Sequence, residues 1–202
     1  MSLQTSLERV LDRPEPLSHL RSWVWRELAD AASSSRHGWN QTSLTTISID
    51  GPTSRMVVLR RADSTARILE CHTDRRAAKV GQIAEDPRVA WMFWDPSSRI
   101  QLRLAATATV LVDGPEVREA WNAVPVPSRA AYLSLATPGA TVTTEHSPST
   151  ADRHEDAAGS ERGRDHFCVV RTTVHSGEAL YLRRGGHVRF AFDDERSFWL
   201  VP

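Results

Sequence analysis

Only two cysteines occur in the 202 residues, Cys71 and Cys168, and each sits inside an apolar stretch. Such a pair reads as buried free thiols rather than a disulfide framework, which points to a reducing, cytoplasmic setting. No apolar run approaches the roughly 20 residues that a membrane-crossing helix needs. The opening Met1-Ser2-Leu3-Gln4-Thr5 lacks the pattern of a secretory leader, so no membrane association is expected. Charge of one sign is not in surplus either: 25 Lys+Arg face 25 Asp+Glu. A chain without excess positive charge is not expected to bind nucleic acid through its phosphates. The sequence has no GxGxxG, no P-loop and no GxSxG, so Rossmann-type dinucleotide binding, nucleotide hydrolysis and α/β-hydrolase chemistry have no motif behind them. Its histidines, among them His72, His146, His154, His166 and His175, are scattered without metal-ligand spacing, and no metal site is expected.

What the chain does have suits one globular domain spanning 1–202: 40% hydrophobic and 25% charged residues, enough to build a core. Leu20, Trp23, Val24, Glu27, Leu28 and Ala31 recur at helical spacing, which predicts an amphipathic helix over 14–36. Short β-rich runs follow at 43–50, 55–60 and 66–71, read as a three-strand meander with 66–71 as the hairpin partner of 55–60. A helix is expected over 74–85, stopped by Asp86-Pro87, because the residue before proline disfavours helical backbone. Strands at 89–94 and 100–112 come next, then helices from the Asp113-Gly114-Pro115 turn through Trp121 and over 128–135. Residues 138–164 are Thr, Ser, Glu, Asp, Gly and Pro with little to bury, and read as a mobile polar loop. Four more strands are expected at 167–173, 179–183, 187–192 and 198–201. Strands outnumber helices and no βαβ alternation appears. The fold class is therefore mainly β with flanking helices, a closed or half-closed antiparallel barrel.

The charges of His72-Thr73-Asp74-Arg75-Arg76-Ala77-Ala78-Lys79 are the most informative feature. With Thr73 or Asp74 as N-cap, three cations fall in the first helical turn, where each costs on the order of 0.3–1 kcal/mol against the helix dipole. An anion held at the helix start would explain them, as would a solvated basic face paired with Glu85, Asp86 or Asp63. Arg55 strengthens the anion reading, since it opens a strand otherwise made of Met, Val and Leu. By period-two geometry Arg55 shares a face with Val57 and Leu59, and Arg60 shares the other with Met56 and Val58. The two arginines therefore cannot serve one ligand atom through a regular strand. Trp91-Met92-Phe93-Trp94 puts large side chains on both faces of one strand, as in a strand buried against the core on one side and a partner or cofactor on the other.

Four segments in order resemble the pyridoxamine 5′-phosphate oxidase-like flavoproteins. Arg55-Met56-Val57-Val58-Leu59-Arg60 is similar to their RxVLLK strand, and His72-Thr73-Asp74 through Lys79 to their phosphate-binding turn and helix. Glu85-Asp86-Pro87-Arg88-Val89-Ala90 resembles their NPRVAL junction, and Gln101-Leu102-Arg103-Leu104 their QVRV strand. The resemblance implies a split β-barrel that binds FMN at the interface of a homodimer. It implies that Arg55 and Lys79 hold the phosphate with Thr73, that Met56, Val57, Val58 and Arg60 run along the flavin ring, and that Gln101 bonds the flavin. His72 and Arg76 belong to the same implied cofactor set, and Arg129 and Arg189 to an implied substrate site.

The departures are equally specific. Arg60 stands where the family's oxidases have lysine, and Ala77 and Ala78 replace the serine and arginine of an SRK triplet. Arg183 and Ala191 occupy positions of a tryptophan and a histidine around Gly185-Gly186. Pyridoxamine 5′-phosphate itself is therefore not the expected substrate. The expectation is an FMN-dependent oxidoreductase for an unidentified small organic molecule. A non-catalytic flavin-binding module, or a related barrel holding deazaflavin or haem, stands as the alternative.

Overall fold

The computed structural model describes residues 2–141 and 161–202. Most of the expected 138–164 loop thus lies outside the described residues. Helix α1 (Leu3–Leu11), which the pattern reading did not include, buries Leu3, Leu7 and Val10. Its start is capped by Ser2, whose hydroxyl accepts the Thr5 N–H at 3.2 Å. Helix α2 (Leu17–Ser33) is shorter than the expected 14–36, because Pro16 precedes its first turn and Ser34 has left the helical region for extended backbone. It buries Leu20, Trp23, Val24 and Leu28. The two helices are joined by buried polar groups: the Trp23 indole N–H donates to Ser6 Oγ at 2.9 Å, and Ser6 donates in turn to Glu27.

Nine strands form one antiparallel sheet: β1 (Gln41–Ser48), β2 (Gly51–Val58), β3 (Arg61–Asp63), β4 (Ile68–Asp74), β5 (Arg88–Asp95), β6 (Ile100–Leu111), β7 (Phe167–Tyr181), β8 (Val188–Phe192) and β9 (Ser197–Leu200). The main path runs β2-β1-β5-β6-β7-β4-β3, with β8 on β7 and β9 on β8. Among the described residues the sheet is not closed into a barrel: β2 pairs with β1 alone. A seam remains between β2 and β4, crossed where the Arg60 N–H donates to the Glu70 carbonyl at 2.8 Å. Helices α3 (Ala78–Glu85), α4 (Pro115–Asn122) and α5 (Val126–Arg129) fill the connections. Inside lie Trp23, Trp39, Leu44, Leu59, Cys71, Trp91, Phe93, Leu102 and Val170. A smaller cluster of Val117, Trp121, Val124, Phe167 and Val169 lies under α4.

Three expectations are corrected. The expected meander holds for β1 and β2 but not for its third strand, because β3 intervenes and takes the hairpin with β4, turning through Arg67 at φ 57°, while β4 also pairs with β7. The strands expected at 167–173 and 179–183 are one 15-residue strand, β7, carried past His175 by a break in register against Ala105 and Ala106. The second face of the Trp91–Trp94 strand is not buried in the single chain: Trp91 and Phe93 are inaccessible, but Trp94 is 41% exposed.

Gly177 lets β7 run through its polar-looking middle. A Cβ there would come within 2.3 Å of Phe192 Cζ and 2.6 Å of a Leu104 methyl. Gly177→Ala is therefore expected to cost about 1–3 kcal/mol of stability by overpacking, read as a lower denaturant midpoint at unchanged slope.

Candidate functional site

The seam between β2 and β4 gathers the cations that the sequence singled out. Arg55 points to the inner face, as its pairing opposite buried Leu44 requires. Its guanidinium donates to the Leu44 carbonyl at 3.1 Å, to Thr46 Oγ1 at 2.6 Å and to Gln82 Oε1 at 3.2 Å. All three acceptors are neutral. Lys79, in the first turn of α3, donates from Nζ to Thr73 Oγ1 at 2.7 Å. Burial pushes its ammonium below the usual lysine range, and the nearby Arg55 guanidinium acts in the same direction. The carboxylate that could neutralise the pair, Asp74, is taken: it accepts the Arg76 backbone N–H at 2.8 Å and the Arg76 guanidinium at 2.7 and 3.0 Å. Burial opposes ionisation of Asp74, yet these bonds hold its carboxyl below the usual range.

Arg55 and Lys79 thus form a partly buried cation pair with no carboxylate partner among the described residues. Removing such charges from water is costly unless an opposite charge joins them. The start of α3 adds to the effect, because its N-cap is Ala77 and no side chain caps it. A terminal phosphate fits this cradle by charge and by donor chemistry.

Asp74 and Thr73 do not cap the helix as expected. The β4–β7 ladder runs through Asp74 opposite Phe167, so the chain stays extended and the helix begins later. Arg75 and Arg76 consequently lie before α3. Arg76 reaches the Ser134 and Leu135 carbonyls at 3.0 and 3.5 Å, which leaves it outside the cation pair. His72 lies on the opposite face of β4 from Thr73, its ring edge-on to Phe167 at 4.9 Å, with Arg60 on the same side. Burial first, and Arg60 second, bring the His72 imidazole down to about 4, so it is neutral near pH 7.

The outer face of the sheet brings other candidates into rows. Met56, Ser43, Met92, Arg103, Glu178, Ala191 and Phe198 follow one another across the strands. Trp94, Gln101, Leu180 and Arg189 form the next row, so Gln101 and Arg189 are two strands apart. Val58, opposite Gln41, lies on this outer face, and Val57 lies inward with Arg55. Arg189 is ion-paired to Glu178 at 2.8 Å, and Arg103 shares the same carboxylate at 2.7 Å. Arg129, by contrast, is buried behind α4. It pairs with Glu161, donates to the Val124 and Trp121 carbonyls and lies 4.8 Å from the Trp121 ring centroid. That makes it a brace for the chain re-entering at Glu161 rather than an open ligand. Thr46 and Gln82, which hold Arg55, were missed by sequence reading. Only their tertiary juxtaposition marks them.

Residues 22–112 match the model of the family described as pyridoxamine 5′-phosphate oxidase, FMN-binding domain. This span contains β1 to β6 and α3, hence the whole cation pair. Over that span the chain is similar to the FMN-binding domain of pyridoxamine 5′-phosphate oxidases. FMN is the cofactor of that family. A pyridoxine/pyridoxamine 5′-phosphate oxidase of Anaeromyxobacter dehalogenans is 34% identical over 101 residues, 50% of this chain and 48% of that protein. The chain spans about half the length of the curated relatives it matches. Among solved structures, a pyridoxamine 5′-phosphate oxidase-related, FMN-binding protein of Nostoc punctiforme superposes with a TM-score of 0.67 at 20% identity, covering 89% of this chain and 96% of that one. PhzG of Burkholderia lata, solved with tetrahydrophenazine-1-carboxylic acid, gives 0.62 at 19% identity and 96% of both chains. These neighbours establish the split-barrel fold.

The lowered His72 value has a consequence for stability. Protonation of His72 favours the unfolded chain, where its pKa returns to about 6.5. Its contribution is therefore complete above pH 6.5 and is lost as the pH falls toward 4. His72→Phe is expected to flatten the stability–pH curve across that window by up to about 3 kcal/mol, measured by urea unfolding at each pH.

Proposed function

We propose that the protein is an FMN-dependent oxidoreductase for a small organic substrate and works as a homodimer with the flavin at the interface. The observation that carries the reading is the Arg55–Lys79 pair, two cations without a carboxylate at an uncapped helix start. In this reading Arg55, Lys79 and Thr73 hold the cofactor phosphate, and Thr46 and Gln82 hold Arg55 in place. The seam-facing backbone of Met56, Val57 and Val58 has no ladder partner, because β2 is an end strand, and it offers hydrogen bonds to the ring edge. Gln101 supplies a side-chain amide from the outer face, and Arg60 lies just beyond the ring. When bound, the flavin supplies the electron-transfer chemistry. The chain's own residues anchor it, orient it and exclude water from one of its faces. Two buried free cysteines support a cytoplasmic setting.

The dimer is supported by the uncovered outer face. Met56 is 66% and Trp94 41% exposed on the same face, with Met92 between them. Large apolar side chains left open together in this way fit a surface that a partner covers.

Lys79→Ala and Arg55→Ala are each expected to weaken FMN binding by about 1–3 kcal/mol, followed by flavin fluorescence. Arg118→Ala, on the exposed side of α4, serves as the control and leaves it unchanged. Equal retention of flavin by all three variants removes the anchor. Trp94→Glu is expected to yield monomers by light scattering and to lower flavin affinity at least about tenfold. A fully loaded wild-type monomer defeats the shared site. Flavin that is bound but never reduced by NAD(P)H or any candidate amine favours the non-catalytic module instead.

A further inference from the structure

The bonds that hold Arg55 also fix which way a neighbouring amide is turned. Gln82 lies one turn beyond Lys79 on α3, so the two side chains rise from the same face of the helix. A helical side chain leans toward the helix start, which carries the Gln82 amide back toward the cation pair. Arg55 Nη2 donates to Gln82 Oε1 at 3.2 Å, and the Thr46 hydroxyl donates to the same oxygen at 2.6 Å. Thr46, fully buried, accepts in turn from Arg55 Nη1 at 2.6 Å, so the three side chains close a ring. A guanidinium is a donor only, and the amide atom that meets it must be the oxygen. Turning the amide over would set N–H against N–H. The ring therefore leaves both Nε2 N–H groups of Gln82 outside it, and neither has a partner among the described residues.

We infer that Gln82 is a further ligand of the anion between Arg55 and Lys79: its oxygen sets the guanidinium, and its amide nitrogen donates to a phosphate oxygen. The inference rests on the phosphate cradle proposed above and adds a neutral donor to its two cations. An amide suits the place because it accepts from Arg55 on one side and donates to the anion on the other. A carboxylate could hold Arg55 but has no N–H to give, and a third cation would meet Arg55 as a like charge. A phosphate monoester presents three strong acceptor oxygens, so Arg55, Lys79 and Gln82 can each take one. Gln82 thereby favours a phosphorylated flavin over one that lacks the phosphate. The sequence hides this role, since a glutamine in the second turn of a helix carries no charge to draw attention to it.

The test is side-chain amide NMR of the purified protein carrying ¹⁵N-labelled glutamine, titrated with FMN, riboflavin and inorganic phosphate, with Gln82→Leu identifying the signal. A Gln82 Nε2 proton is expected to move downfield with FMN and with phosphate, and not with riboflavin. Gln82→Leu is expected to weaken FMN binding about tenfold and riboflavin binding less than about twofold, the loss of one hydrogen bond to a charged acceptor. In the Arg55→Ala protein, Gln82→Leu is expected to lower FMN affinity severalfold further, which a residue that only holds Arg55 could not do. A Gln82 amide unmoved by both FMN and phosphate overturns the inference. So do equal losses of FMN and riboflavin affinity in Gln82→Leu, or no further loss in the Arg55→Ala background. A shift with phosphate in protein that takes up no FMN upholds the contact and removes only the flavin reading.

Discussion

Two positive charges, on Arg55 and Lys79, meet in the seam where the sheet fails to close, and much of the site's geometry exists to hold them there. Each is partly withdrawn from water and bonded only to neutral oxygens, from Leu44, Thr46, Gln82 and Thr73. Neutral acceptors orient a cation without satisfying its charge. The open seam is the complementary feature: a barrel closed by β2–β4 pairing would occupy the backbone that now faces the gap. Cation pair and split thus belong together, two charges without a carboxylate lying where strands are kept apart.

The remaining arginines show how the protein sorts cations by what stands near them. Arg76 folds back on Asp74, so that carboxylate is withheld from Lys79. Arg61 and Arg171 share Glu70 on the outer side of β4, and Arg103 and Arg189 share Glu178 across the sheet. A chain with balanced formal charge can therefore still present local positive sites, because balance over the whole sequence says nothing about pairing in space. Arg55 and Lys79 are both partly withdrawn from water, yet neither has a carboxylate partner among the described residues. Thr73 with Lys79, and His72, lie on opposite sides of β4, as the alternation of a strand requires.

Much of the architecture was legible in the residues. Leu20, Trp23, Val24 and Leu28 announced α2, Asp86-Pro87 the end of α3, and the alternation of 100–112 the long strand β6. The facing of Arg55 with Leu59 and of Arg60 with Met56 followed from a period of two. The pairing partners were not legible. β4 was assigned to β2 because the two runs are near in sequence, whereas its 3-residue neighbour β3 and the distant β7 take its two edges. The middle of β7 read as a break, because Gly177 signals a turn unless the neighbours that need its empty side are known.

The sequence by itself determined the class of the fold, the stretch that resembles an FMN-binding domain and the group of cations, Arg55, Arg75, Arg76 and Lys79, that crowds its helix start. These depend on local periodicity and on residue type, which a linear string records. The tertiary structure decided which cations stay unpaired, that Arg129 braces the chain at Glu161, and that His72 turns away from Thr73 toward Arg60. Whether a charge is free is a property of its neighbours in space. Those neighbours come from strands and helices up to a hundred residues away, as Arg171 does for Glu70.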